Sequence, residues 1–230
     1  MIRALIFDFD GLILDTEVPE FQAWQEVFRE HGCELSLSTW SGYIGSASHH
    51  FDPCSLLESQ LGRSVDRDTV QRKRRQRNRD LLSVQKVLPG VESYLASARQ
   101  LNFKIGLASS SPRDWVSSHL TRLSLMSFFE SIKTRDDVTE AKPNPELYLL
   151  VLSALGVQPD EAIALEDSPN GILAAKAAGM FCVAIPNQLT RQLSLDKADL
   201  QLNSLAELPL EGLVSKLEVR SSCPRKGNCA

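Results

Sequence analysis

The sequence of 230 residues contains no run of about 18 apolar residues, so no transmembrane helix is expected. Asp8, Asp10 and Asp15 interrupt the apolar N-terminus, which argues against a signal peptide. The five cysteines are odd in number and have no CxxC spacing, which disfavours a disulfide framework and favours a reduced, cytoplasmic setting. The formal net charge of −4 predicts neither nucleic acid nor an anionic membrane as a partner.

The chain does contain an alternation of strand-like and helix-like segments. With 43% hydrophobic and 23% charged residues, the composition is typical of a soluble globular protein of one or two domains. The apolar runs predict strands at residues 3–10, 103–109, 131–134, 162–166 and 181–185. Because helical patterns separate these runs, the predicted fold class is α/β, with a doubly wound parallel sheet.

One stretch of about 70 residues after the first strand contains helical patterns alone and is too long for a simple crossover. We therefore expect an all-helical domain over residues 16–85, inserted into an α/β core formed by residues 1–15 and 86–217. Phe21, Trp24 and Phe28 lie at helical spacing and are expected to form the core of this insertion. Residues 218–230 have no periodicity and are expected to form a loose tail.

The first strand ends in an unusual pair of acids, Asp8 and Asp10, separated by Phe9. A buried carboxylate is unfavourable without a partner, and alternation along the strand puts both acids on one side, about 7 Å apart. Two like charges at this spacing raise each other's pKa unless a cation neutralises them. The pair therefore predicts a metal site that performs chemistry.

Three later strand-to-helix boundaries also carry polar residues. Ser111 is expected to cap the helix after the second strand, which leaves Ser109 free at the strand tip to bind an anion. Lys142 precedes a helix start, where it is either a solvated surface lysine or a point charge for phosphate. Glu166 and Asp167 end another apolar strand, where Asp167 either caps the next helix or joins the acids of the first strand.

The joint occurrence of these residues is more informative than any one of them. The carboxyl ends of parallel strands meet at one edge of the sheet, where ligands of open α/β folds bind. Carboxylates at this edge suit Mg²⁺, whereas an ammonium, a hydroxyl and helix starts suit a phosphate group. The sequence thus predicts a Mg²⁺ site that acts on a phosphorylated small molecule.

The motif Asp-Phe-Asp-Gly-Leu-Ile-Leu-Asp-Thr-Glu at residues 8–17 resembles that of the haloacid dehalogenase superfamily. Ser109, Lys142-Pro143 and Glu166-Asp167 follow in the expected order, so that the resemblance covers roughly residues 1–190. Within the superfamily, the chain is similar to the beta-phosphoglucomutase-like group, in which a helical cap follows the first strand. This group includes many sugar-phosphate phosphatases.

The resemblance implies specific roles for these positions. Asp8 is expected to attack phosphorus and form an aspartyl-phosphate, and Asp10 to transfer the proton. Ser109 and Lys142 are expected to hold phosphate oxygens. The expected Mg²⁺ ligands are Asp8, the backbone carbonyl of Asp10, Asp167 and, as a further candidate, Glu166.

The helical cap is expected to exclude water and select the substrate, with Thr16, Glu17 and Glu20 as its candidate residues. In beta-phosphoglucomutase, a histidine stands at the position that aligns with Glu20. Because a glutamate does not donate as an imidazolium does, a phosphatase that releases phosphate to water is favoured over a mutase. The basic stretch at residues 72–79 is expected to be mostly a solvated face, and His49 and His50 are expected to lie at the surface.

Two other functions remain open at this point. One is a phosphomutase of the beta-phosphoglucomutase type. The other is a phospho-acceptor module of the receiver type. It is disfavoured because a receiver carries its acceptor on a strand from the middle of the chain, not on the first strand, and has no cap. The expected partner is a small phosphorylated metabolite, and the expected oligomeric state is a monomer.

Overall fold

The computed structural model describes residues 1–44 and 52–222, whose strands form one six-stranded parallel sheet. The strand order is β3-β2-β1-β4-β5-β6, with β1 in the middle. The predicted doubly wound α/β sheet is confirmed. The strands are β1 (Ala4–Phe7), β2 (Lys104–Ala108), β3 (Ser131–Lys133), β4 (Ala162–Glu166), β5 (Phe181–Ala184) and β6 (Leu200–Gln201).

Nine α-helices of the described residues connect and flank these strands. They are α1 (Glu17–Glu30), α2 (Leu37–Ile44), α3 (Pro53–Leu61), α4 (Arg67–Ser83), α5 (Val91–Gln100), α6 (Arg113–Arg122), α7 (Glu146–Leu155), α8 (Pro169–Ala177) and α9 (Leu210–Ser222). None of the helices in the described ranges is long and apolar enough to cross a membrane.

The sheet differs from the sequence-based prediction at two places. Strand β6 has no counterpart in the prediction, because two residues are too few to produce a pattern with a period of two. The first strand was predicted to reach residue 10, but regular pairing ends at Phe7, opposite Leu107 and Leu165. Asp8 still donates its backbone N–H to the Leu165 carbonyl at 3.0 Å, so that the chain remains extended just past the strand.

Alternating side chains of β1 bury into opposite faces of the sheet. Leu5 and Phe7 pack into a cluster that includes residues of α5, α6 and α9, whereas Ala4 and Ile6 pack into a second cluster with α7 and α8. All four side chains are fully buried. The central strand is therefore covered on both sides, as parallel sheets require.

Helices α1 to α4 contribute to a third, separate apolar cluster. As predicted, Phe21, Trp24 and Phe28 are buried in it, together with Leu57 of α3 and Val70 of α4. The two chain segments that lead into and out of these helices pair with each other, since Leu88 donates its N–H to the Ile13 carbonyl at 2.9 Å.

The C-terminal part of the chain corrects one expectation. The loose tail was expected to begin at residue 218, but α9 continues to Ser222. Leu210, Leu213 and Leu217 are buried on one face of this helix, in the cluster that includes α5, so that α9 packs against the core through an apolar face. His49, His50 and residues 223–230 lie outside the described residues.

The separate cluster of the inserted helices yields a stability prediction. Leu57→Ala removes a fully buried side chain from this cluster, so we expect it to lower the free energy of unfolding by about 2–5 kcal/mol. Leu149→Ala, the same change at a side chain that is 46% exposed, should lower it by clearly less. Urea denaturation followed by circular dichroism measures both free energies of unfolding. Equal losses in the two variants would contradict the conclusion that this cluster stabilises the fold.

Candidate active site

A cavity of about 510 Å³ opens beyond the carboxyl ends of β1 and β4. Its lining combines residues at the strand ends with residues of the inserted helices. On the sheet side these include Asp8, Asp10, Lys142 and Asp167. On the helical side they are Thr16, Glu17, Glu20, Arg74 and Asn78.

Lys142 holds the centre of this site through three hydrogen bonds. Its ammonium donates to Asp8 Oδ1 at 2.5 Å, to Glu166 Oε1 at 2.6 Å and to the Ala108 carbonyl at 2.7 Å. The Lys142 side chain is only 4% exposed. Lys142 is therefore a buried, fully paired cation and not the solvated surface lysine that was the alternative reading of its sequence position.

Glu166 is the second acid bound to this ammonium. Its Oε1 also accepts a hydrogen bond from the Tyr148 hydroxyl at 2.6 Å, and its Oε2 accepts one from the backbone N–H of Asp167 at 3.2 Å. A Cβ at Gly171 would lie 2.0 Å from this carboxylate, so only glycine lets α8 begin this close to Glu166. Glu166 is fully buried and does not line the cavity.

The pKa values reflect this buried network. Burial raises the pKa of Asp8 to about 8, a shift that Lys142 opposes and Glu166 reinforces. Burial, followed by the charges of Asp8 and Glu166, also raises the pKa of Asp167 well above its usual range. Burial alone would lower the pKa of Lys142, but the two carboxylates outweigh it and raise the pKa above its ordinary value. The site thus contains more carboxylates than its own cation neutralises.

Asp10 is held by hydrogen bonds from the other side of the cavity. Trp115 donates its indole N–H to Asp10 Oδ1 at 2.9 Å, and Ser111 donates its hydroxyl to Oδ2 at 2.7 Å. The expected capping role of Ser111 is wrong, since Pro112 occupies the N-cap of α6 without a side-chain cap. The nearby carboxylate is a stronger acceptor for this hydroxyl than a helix end would be. No sequence pattern indicated Trp115.

Ser109 lies deeper than the sequence suggested. It is 1% exposed, its Oγ accepts the backbone N–H of Ser111 at 3.0 Å, and it does not line the cavity, whereas Ser110 and Ser111 do. Its Oγ is 3.4 Å from Asp10 Oδ2. The phosphate-binding role of Ser109 stays a prediction.

Gly11 follows the two acids and lets the chain turn close to Asp167. Its φ of +81° is one that other residues rarely adopt, and a Cβ there would lie 2.1 Å from Asp167 Oδ2. The same oxygen accepts a hydrogen bond from Asn187 Nδ2 at 2.8 Å. The sequence gave no indication of Asn187, which lies in the loop after β5.

Glu20 and Arg74 form an ion pair on the helical side of the cavity. Arg74 Nη1 lies 3.0 Å from Glu20 Oε2, while Trp24 donates its indole N–H to Glu20 Oε1 at 3.2 Å. Within the basic stretch 72–79, Arg74 is the only basic residue that lines the cavity; Lys73 and Arg77 form exposed ion pairs, as expected of a solvated face.

Glu17 lines the same cavity, close to Glu20. Burial, followed by the charge of Asp10, raises the pKa of Glu17 to about 7. Thr16 is buried and lines the cavity as well. The three residues predicted for the cap side, Thr16, Glu17 and Glu20, thus all reach the same cavity as Asp8.

The donor set at the strand ends fits a divalent cation. Carboxylate oxygens of Asp8, Glu166 and Asp167 all lie within 4.8 Å of one another. Among the described residues that line the cavity there are five carboxylates, on Asp8, Asp10, Glu17, Glu20 and Asp167, but only two basic side chains, on Lys142 and Arg74. A hard cation bound by oxygens would offset this excess of negative charge.

Comparison with known proteins agrees with the geometry. The family model described as "Haloacid dehalogenase-like hydrolase" matches residues 5–185. The chain is 51% identical to "Putative phosphatase YhcW" of Bacillus subtilis over 94% of this chain and 98% of the relative. It is 31% identical to the "Phosphorylated carbohydrates phosphatase" of Thermotoga maritima, over 78% of this chain and 82% of that protein.

A solved structure extends the similarity to the whole fold. The beta-phosphoglucomutase of Clostridium difficile matches with a TM-score of 0.73 and 27% identity, over 97% of this chain and all of that chain. The family model and the relatives named as phosphatases support a phosphatase enzyme. The chain belongs to the haloacid dehalogenase-like hydrolase family.

Proposed function

We propose that this protein is a Mg²⁺-dependent phosphatase that hydrolyses a small phosphomonoester, a sugar phosphate or a similar metabolite, through an aspartyl-phosphate on Asp8. The observation that carries the proposal is the hydrogen-bonded group of Asp8, Lys142 and Glu166 at the strand ends, in one cavity with Asp10 and Asp167. Such a group combines a nucleophile, a proton carrier and a cation site within reach of one phosphate.

Asp8 is suited to attack phosphorus. Lys142 holds its Oδ1, and no described residue donates a hydrogen bond to its Oδ2, which leaves that oxygen available as the nucleophile. Attack by Oδ2 forms the bond between Asp8 and phosphorus, and the bond from phosphorus to the leaving oxygen breaks. Because Asp8 is already fixed in place, the reaction avoids much of the entropy loss that a freely diffusing nucleophile would undergo.

Asp10 is suited to move the proton. It would protonate the leaving oxygen, and its carboxylate would then take a proton from the water that hydrolyses the aspartyl-phosphate. Trp115 and Ser111 each donate a hydrogen bond to one of its carboxylate oxygens, so that both oxygens are oriented before substrate binds. We assign both residues to the positioning of Asp10.

The residues that would hold Mg²⁺ are Asp8, Asp167 and the backbone carbonyl of Asp10. Bound there, the cation would supply positive charge for the phosphate oxygens and offset the acids around it. Glu166 was a further candidate ligand, but Lys142, Tyr148 and a backbone N–H already occupy its oxygens. We therefore assign Glu166 to holding Lys142.

Lys142 and Ser109 would complete the phosphate site. Because Lys142 uses all three of its N–H donors in the protein, a phosphate oxygen would have to share or replace one of these contacts. Ser109 would need a small shift to reach the cavity, since Ser110 and Ser111 now line it.

We propose that residues 16–85 act as a cap and residues 1–15 and 86–217 as the catalytic core. The separate apolar cluster of α1 to α4 supports this division, as does the pairing of the two connecting segments at Ile13 and Leu88. Thr16, Glu17 and Glu20 would contact the part of the substrate that is not phosphate. Transfer to water is favoured over transfer to a second sugar position, because Arg74 and Trp24 hold the two oxygens of the Glu20 carboxylate, and a glutamate does not donate as an imidazolium does.

Replacing the nucleophile tests the first step. We expect Asp8→Asn to lower phosphate release by about 10³-fold or more, because the amide is a poor nucleophile. Asp160→Asn, the same change at an exposed residue before β4, should leave the rate unchanged. Phosphate release from p-nitrophenyl phosphate measures the rate, and circular dichroism checks the fold. A rate for Asp8→Asn near that of the wild type would contradict the assignment.

Removing the metal tests the cation site. Treatment with EDTA should abolish phosphate release, and added Mg²⁺ should restore it. Ca²⁺ should not, because it prefers more ligands at longer distances than this compact cluster offers. Full activity in EDTA would exclude the metal from the reaction.

Product analysis separates hydrolysis from the mutase reaction. With β-glucose 1-phosphate and a bisphosphate activator, we expect inorganic phosphate to accumulate and glucose 6-phosphate to be absent, because no histidine stands at position 20. Chromatography of the products measures both, and a screen of sugar phosphates for phosphate release identifies the preferred substrate. Glucose 6-phosphate as the main product would favour the mutase.

A further inference from the structure

Asn187 connects the proposed metal ligand Asp167 to a tight turn after β5. Its Nδ2 donates to Asp167 Oδ2 at 2.8 Å. Its Oδ1 accepts the backbone N–H of Leu189 at 2.8 Å and that of Thr190 at 2.9 Å. The carboxamide has only one orientation in which its NH₂ faces a carboxylate and its oxygen faces two N–H groups, so this side chain is fixed at both ends.

The turn itself is anchored between the sheet and the inserted helices. The Asn187 backbone N–H donates to Thr190 Oγ1 at 3.0 Å, and Thr190 is 1% exposed at the edge of the cavity. Leu189 is equally buried and lies in the apolar cluster of α1 to α4. Rotation of the Asn187 side chain would therefore break hydrogen bonds in a packed turn.

Asp167 depends on this contact for its orientation. Within residues 1–44 and 52–222, the hydrogen bond from Asn187 is the only one that its carboxylate receives. Asp8 and Glu166 lie close to it and carry the same charge when ionised. A neutral donor at Oδ2 counteracts this repulsion and fixes the orientation of the carboxylate.

We propose that Asn187 is a positioning residue that orients Asp167 for binding the divalent cation. The proposal rests on the proposed role of Asp167 as a metal ligand. A partner that holds the second oxygen of a ligating carboxylate changes metal affinity without touching the metal, and its loss weakens binding by about 10- to 100-fold.

Two variants of Asn187 separate this role from a structural role in the turn. Asn187→Ala removes both functions of the side chain. Asn187→Asp keeps an oxygen that accepts from Leu189 and Thr190, and so preserves the turn, but it no longer donates to Asp167 and adds a like charge. Gln188→Ala, a change at the exposed neighbouring residue, is the control.

Isothermal titration calorimetry with Mg²⁺, in the absence of substrate, measures the effect. We expect the dissociation constant to rise about 10- to 100-fold in Asn187→Ala and at least as much in Asn187→Asp. It should be unchanged in Gln188→Ala, and circular dichroism should show the same secondary structure for Asn187→Asp and the wild type. A wild-type dissociation constant in Asn187→Asp would overturn the proposal and leave Asn187 with a role in the turn alone.

The variant Asp167→Asn distinguishes a failure of the positioning role of Asn187 from a failure of the proposed metal site. If the wild type binds Mg²⁺ and Asp167→Asn does not, while the Asn187 variants bind normally, the positioning role of Asn187 is wrong and the metal role of Asp167 stands. If Asp167→Asn binds Mg²⁺ as tightly as the wild type, the metal role itself is wrong.

Discussion

The buried ammonium of Lys142 is the contact on which the rest of the site depends. It joins Asp8, at the end of the central strand, to Glu166, at the end of the neighbouring strand, and to the carbonyl of Ala108 on the other side. Removing one partner of such a buried pair leaves an uncompensated charge, which is destabilising by about 3–5 kcal/mol. The three central strands are thus held together, at their carboxyl ends, by a charge that is also suited to phosphate.

The cavity contains more acids than the ammonium of Lys142 can neutralise. Asp167, Asp10, Glu17 and Glu20 share the cavity with Asp8, and on the helical side Arg74 is already paired with Glu20. A phosphate dianion entering this cavity would meet a net negative charge, which a bound divalent cation would reduce. The raised pKa values of Asp8 and Asp167 have the same origin, since burial and like charges disfavour ionisation of both.

Much of this arrangement was predictable because the residues occur where elementary physics disfavours them. Acids at the end of an apolar strand, as at Asp8 and Glu166, mark a site without any knowledge of the fold. The uninterrupted apolar run of residues 4–7 similarly predicts a strand covered on both faces, which the two apolar clusters confirm. The helical insertion was predictable for the same kind of reason, since its apolar residues repeat with the helical period.

The residues that hold the proposed catalytic groups were not predictable in this way. Trp115 lies 105 positions from Asp10, and Asn187 lies 20 positions from Asp167 in a loop without any periodicity. Arg74 is one of six basic residues in a row of eight, and only the packing of α4 against α1 selects it for the cavity. Contacts between distant segments do not change the local pattern of apolar and polar residues in the sequence, whereas burial of an element does.

The most direct test of the central claim is to trap the covalent intermediate. The wild-type enzyme is mixed with a ³²P-labelled sugar phosphate that it hydrolyses and Mg²⁺, quenched in acid within milliseconds, digested and mapped by mass spectrometry. The account predicts acid-stable label on the N-terminal peptide at Asp8. Rapid release of labelled phosphate with no label on any peptide, or label at another residue, would contradict it.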